Sequence, residues 1–137
     1  MGFKNNILKI ICDKNTFIKI NDFIYTFSDV FNIENINVSE HKFEFTTYEE
    51  ISDTIEKISR IFESAKFEYS YYDSFLGQEV GSSIIMQGYC YERTIRQHCS
   101  KKAFELLFEI TNSTPDKFNL VYNSEEDNYV EYNNIPF

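Results

Sequence analysis

Ile51, Ile55, Ile58 and Phe62 recur at i, i+4, i+7 and i+11, one apolar stripe at helical spacing that a chain can satisfy only by laying it on another apolar surface. Glu49, Glu50, Asp53, Glu56, Arg60 and Glu63 fall largely off the stripe. Thr47 stands three residues before Glu50, the order of a capping box, and Asp53–Lys57 and Glu56–Arg60 form favourable i,i+4 pairs. The spacing predicts a helix over 48–64. The runs beside it have a different period. Phe43 and Phe45 alternate with Lys42, Glu44 and Thr46, and Phe67, Tyr69 and Tyr71 alternate with polar neighbours, as half-buried strands do. A helix between alternating strands makes this an α+β chain.

The remaining elements follow from the same two periods. Residues 5–12 and 35–39 read as short strands. Residues 16–31 place Phe17, Ile20, Ile24, Phe27 and Phe31 at spacings of three and four, a helix with strand as the alternative. Gly77 and Gly81 bracket a loop. Residues 84–91 alternate as a strand, and a helix is expected over 94–111, closed by Asn112-Ser113-Thr114-Pro115. Phe118–Tyr122 and Tyr129–Tyr132 form a terminal hairpin. The expected fold is a single α+β domain over 1–137 with a mostly antiparallel sheet and two to three helices. From residue 41 onward the order is β-α-β-β-α-β with one further strand, the element order of a ferredoxin-like split βαβ.

One domain suits 137 residues, long enough to bury roughly two-thirds of the surface its unfolded chain exposes. Fourteen Phe and ten Tyr fill a core without disulfide or metal. Asn, Lys, Ile, Phe and Tyr are abundant and Ala and Gly scarce, the mark of A/T-rich codons and of a low-GC bacterial, phage or mobile-element gene. Cys12, Cys90 and Cys99 are odd in number and irregular in spacing, which fits free thiols in a reducing compartment. The apolar run Ile7–Cys12 is interrupted by Lys9 and too short for a secretory core, and no run approaches membrane-spanning length. A soluble cytoplasmic protein is expected.

Chemical motifs are missing. There is no Cys-x-x-Cys, His-x-x-x-His or calcium-loop spacing, and Gly77–Gly81 lacks the GK[ST] of a phosphate loop. No metal or cofactor is expected. With twenty-two Asp and Glu, no carboxylate pair stands out for acid–base work. Cys99 falls on the apolar stripe of 94–111 and reads as core, and Cys90 is the thiol that could approach His41 across strands. One basic island, Arg93, Arg96, Lys101 and Lys102 with His98 among them, suits an anion held at a helix N-terminus or a solvated face partly paired with Glu92 and Glu105.

The net charge is −9, and residues 113–137 set Lys117 against five carboxylates. Such a field repels nucleic acid and anionic lipid and steers basic proteins. Tyr122, Glu125, Glu126, Asp127, Tyr129, Glu131 and Tyr132 combine rigid aromatic contact area with orienting charge and are the expected partner-binding residues. In size, acidity, missing catalytic motif and codon bias the chain resembles the immunity proteins of bacterial toxin–immunity pairs, including those of contact-dependent growth inhibition, a likeness of type across the whole chain. That resemblance implies a non-catalytic inhibitor covering the active or nucleic-acid-binding surface of a basic toxin, such as a nuclease. The alternatives are a small-anion-binding protein or enzyme using Arg93, Arg96 and His98, a phage-encoded inhibitor of a host nuclease, and a homo-oligomer joined through exposed tyrosines.

Overall fold

A computed structural model describes residues 2–26 and 32–132. The elements run β1 (Lys4–Ile11), α1 (Lys14–Tyr25), β2 (Asn32–Asn37), β3 (Lys42–Thr47), α2 (Ser52–Ile61), β4 (Lys66–Asp73), β5 (Glu79–Met86), β6 (Tyr89–Gln97), α3 (Lys101–Thr111), a 3₁₀ turn (Pro115–Phe118), β7 (Leu120–Asn123) and β8 (Asn128–Glu131). The α+β architecture expected from the two periods is the one observed: a six-stranded antiparallel sheet in the order β2-β3-β1-β4-β5-β6, with β7 and β8 pairing separately.

β1 pairs antiparallel with both β3 and β4, so β3 and β4 run parallel with β1 between them. The β3-α2-β4 unit is therefore a split βαβ whose inserted strand comes from the start of the chain. From residue 41 onward the order is β-α-β-β-β-α followed by the β7–β8 hairpin, with one strand more between the two helices than the ferredoxin-like order has and one more at the end. The extra strand between the helices arises at Gln87-Gly88. Both residues have positive φ, 51° and 83°, and Met86 pairs with Tyr89, which makes a two-residue type I′ turn. Residues 84–91, expected as one strand, are thus the two arms of a hairpin, and residues 94–97, expected as helix, continue β6 against β5.

One sheet face carries Leu8, Ile10, Phe43, Phe45, Phe67, Tyr69, Tyr71 and Ile85, and the buried Phe17, Ile20 and Ile24 of α1 and Ile55 and Ile58 of α2 close over it. Phe27 and Phe31, expected to extend the α1 stripe, lie outside the described residues. On the opposite face Val80 and Tyr72 receive Ala103, Phe104 and Leu107 of α3 and Leu120 of β7. Tyr71 covers Gly81, where a β-carbon would stand 2.2 Å from its ring. Gly81 is therefore a buried strand residue rather than the far end of a loop.

Helix boundaries correct the sequence expectation. α2 begins at Ser52, not 48, because Thr47 stays in β3 opposite Lys4 and its hydroxyl is engaged by Asn6 and by the Glu49 carbonyl. The Glu50 carboxylate accepts the Ser52 N–H at 3.0 Å in place of a threonine cap. α1 is capped by Asp13, which accepts the Thr16 N–H at 2.7 Å, and α3 by Ser100, which accepts that of Ala103 at 3.2 Å.

Candidate partner-binding site

The terminal hairpin forms as expected, and its seven candidate residues divide by role. Leu120, Tyr122, Tyr129 and Glu131 share a face by register. Tyr129 is the anchor: its ring meets Phe108 edge-on at 4.9 Å and Phe104 at 6.1 Å, fixing the hairpin to α3. Lys101 Nζ lies 2.9 Å from Asp127 Oδ1 and 5.5 Å above the Tyr122 ring, and the Tyr122 hydroxyl donates to the same carboxylate. These hydrogen bonds, first from Tyr122 and then from Lys101, hold the Asp127 carboxyl below its usual range. Tyr122, Asp127 and Lys101 thus satisfy one another. Glu125 and Glu126 point from the turn, whose backbone N–H groups donate to Asn123 Oδ1, and they are exposed, as are Glu131 and Tyr132.

The basic island does not assemble. Arg93 pairs with buried Ser83 and Arg96 with buried Val80, which lie on opposite faces of the sheet. The Arg93 guanidinium donates to Ser52 Oγ at 3.2 Å under α2. Arg96 points to the α3 side, and His98 is exposed in the β6–α3 turn at φ 64°. The helix N-terminus beside Arg93 is that of α2, through Ser52, and not the one expected at 94, which is strand. The thiol positions differ too. Cys12, not Cys90, is the cysteine near His41, at 3.9 Å from Nδ1, and the imidazole stacks on Phe17 at 4.3 Å. Burial and the neighbouring Asp13 push the Cys12 thiol up, opposite to what a nucleophile needs. Cys99 packs against the α3 cluster, though from the turn before the helix. Among the described residues, no group of three His, Cys, Asp or Glu is placed to hold a metal ion, and no helix is long and apolar enough to cross a membrane.

A feature not anticipated from sequence lies where β1 starts, β3 ends and the chain turns into α2. There a cleft of about 850 Å³ is lined by Glu34, Glu49, Glu50 and Asp53, with Phe3 and Tyr48 among its walls. No Lys, Arg or His is among the described residues that line it. Tyr48 is 89% exposed and Phe3 45%, so two aromatic rings border four carboxylates. The floor is rigid. The buried Tyr69 hydroxyl donates to Asn6 Oδ1 at 2.5 Å and accepts the Ile51 N–H at 3.0 Å. Asn6 Nδ2 in turn donates to the Phe45 carbonyl and to Thr47 Oγ1. Burial pushes the Tyr69 phenol far up, so it stays a neutral donor. Glu34 reaches the cleft from β2, where the register shifts between Ile33 and Asn35, and accepts from Thr46 Oγ1 at 3.1 Å. Glu49, Glu50 and Asp53 look in sequence like the solvated start of a helix; what gathers them is the non-helical segment 48–51 that replaces its first residues. Glu34 joins only through strand pairing.

No family model, curated protein or solved structure matches the chain.

Proposed function

We propose that this chain is a non-catalytic binding protein that neutralises a basic protein, in the manner of an immunity protein covering the nucleic-acid-binding surface of a nuclease toxin in the cytoplasm. One observation carries the reading: the cleft gathers four carboxylates and two exposed aromatic rings, and no cation is among the described residues that line it. Carboxylates so arranged attract Lys and Arg side chains and orient the partner that bears them, and exposed aromatic faces receive their aliphatic stems and charged heads. The net charge of −9 extends the same attraction over a longer range. Glu125, Glu126 and Tyr132 of the hairpin form a second acidic, aromatic surface available to the same partner, whereas Tyr129 serves the hairpin's own attachment.

The test is co-expression with the product of the adjacent reading frame, followed by gel filtration and calorimetry of the complex. An equimolar complex with a basic protein, weakened about tenfold or more by Glu49→Lys with Asp53→Lys and much less by Glu125→Lys with Glu126→Lys, supports the reading and its placement in the cleft. A partner lost on the hairpin substitutions instead moves the contact to the hairpin. If cells stay unprotected and no complex survives gel filtration, the reading fails.

A further inference from the structure

β6 is an edge of the six-stranded sheet, paired with β5 alone. Open edges are templates for another strand, and this one carries Tyr89, Tyr91 and Ile95 at 68%, 54% and 41% exposure. It is the better-formed of the two edges. β2, at the far side, has six residues, mostly Asn and Glu, with its register broken at Glu34. In β6 the irregularity falls at Tyr91, and residues 92–97 pair without interruption.

The sequence of that uninterrupted stretch is complementary to itself. By their partners on β5, Glu92, Thr94 and Arg96 lie on the α3 face, opposite Ile84, Ser82 and Val80, whereas Arg93 and Ile95 lie on the α2 face, opposite Ser83 and Gly81. Two copies of β6 meeting antiparallel about a twofold axis normal to the sheet must pair residues of one face with each other. With Thr94 at the axis, Glu92 stands opposite the second copy's residue 96, an arginine, and Arg96 opposite its residue 92, a glutamate, on one face. Arg93 and Ile95 cross on the other. Within one copy Glu92 and Arg96 are four residues apart along a strand, roughly 13 Å by strand rise, and cannot reach each other. Among the described residues neither belongs to an ion pair; the Arg96 guanidinium donates only to the Ile95 carbonyl, at 3.4 Å.

We propose that the occupant of the β6 edge is a second copy of this chain, forming a symmetric dimer in which β6 pairs antiparallel with its counterpart about Thr94 and the two sheets join into one of twelve strands. The two Glu92–Arg96 pairs fix the register, because a slip by one residue sends every side chain to the wrong face and a slip by two removes both pairs. The contact lies on β6, whereas the acidic cleft lies among β1, β2, β3 and the start of α2, so each stands or falls separately.

The experiment is sedimentation equilibrium of the purified full chain over a wide concentration range, with three variants checked for folding by circular dichroism. Wild type is expected to dimerise reversibly. Glu92→Arg and Arg96→Glu each place like charges opposite one another at both ends of the contact and should weaken the dimer about tenfold or more. The double exchange Glu92→Arg with Arg96→Glu restores opposite charges at both ends and should return the dimer to near wild-type strength. Since each substitution is at an exposed edge, loss of dimer in a folded single variant and its return in the double variant reads pairing rather than stability. A wild type that stays monomeric at millimolar concentration, single variants that dimerise as well as wild type, or a double variant that does not recover overturns the proposal. So does a wild type that is monomeric alone and takes up a foreign protein's strand at β6.

Discussion

The Tyr69 hydroxyl carries more of the fold than its one atom suggests. It is fully buried, donates to Asn6 and accepts from the backbone of Ile51, so it joins β1, β4 and the entry to α2. Tyr69→Phe keeps the ring and leaves Asn6 Oδ1 and the Ile51 N–H without this partner; stability should fall by about 2 kcal/mol. Urea unfolding checks this, with a lower midpoint at unchanged slope. Glu79 offers a pH test. Burial on its own would raise its carboxyl, but hydrogen bonds from Gln97 and Tyr71 and the charge of Lys4 outweigh burial and hold it below its usual value near 4.5. The unfolded chain then binds the proton more readily, so stability rises with pH across this interval and is lost as pH falls through the folded-state value. Glu79→Gln should be less stable than wild type at neutral pH and should lose less stability on acidification, so the two melting curves converge in acid. Parallel curves would count against the assignment. The alternation of Phe67, Tyr69 and Tyr71 gave these residues their face in advance. It could not say that Tyr69 would reach Asn6 across a strand pair, nor that Tyr129 would be an anchor rather than a contact, because both depend on partners more than twenty residues away.

Helices and strands were legible where the period was unbroken and lost where a turn had unusual chemistry. The α2 stripe was readable because Ile55 and Ile58 need one buried face, but Thr47 looked like a cap and is the last residue of a strand. Competition for its hydroxyl by Asn6, invisible locally, decided the boundary. The larger miss, helix for strand over 94–97, traces to Gln87-Gly88. A type I′ turn favours Asn-Gly, and glutamine at the first position hid it. Gln87→Asn should therefore stabilise the hairpin, recovering part of the roughly 1 kcal/mol that an unsuited β-carbon costs in left-handed backbone; a melting temperature at or below wild type would contradict this. The true start of α3 had its own signal in Ser100, which accepts the Ala103 N–H. Ser100→Ala should cost about 1 kcal/mol, and Ser100→Asp should retain most of it; thermal unfolding of the pair separates capping from simple loss of the hydroxyl.

Over the whole molecule, twenty-two acidic side chains face thirteen Lys and Arg, and the closest charge pairs, such as Lys4–Asp73 at 3.0 Å, are local. A domain of this size has a radius of gyration of about 14 Å, shorter than the roughly 30 Å screening length at 0.01 M salt and longer than the roughly 8 Å at 0.15 M. At low salt every carboxylate feels every other, and repulsion opposes the compact state; screening removes more of that repulsion than of the short attractive contacts. The melting temperature should accordingly rise by several degrees between about 0.01 M and about 0.5 M sodium chloride. A flat or falling curve would mean that the ion pairs outweigh the excess charge. Neutralising one exposed cleft carboxylate, Glu49→Gln, should change stability by no more than about 0.5 kcal/mol. The proposed association with a basic protein must respond with the opposite sign, weakening as salt rises, because it depends on attraction between unlike charges. Binding that strengthens with salt alongside stability would point to an apolar contact and remove the cleft's carboxylates from the explanation.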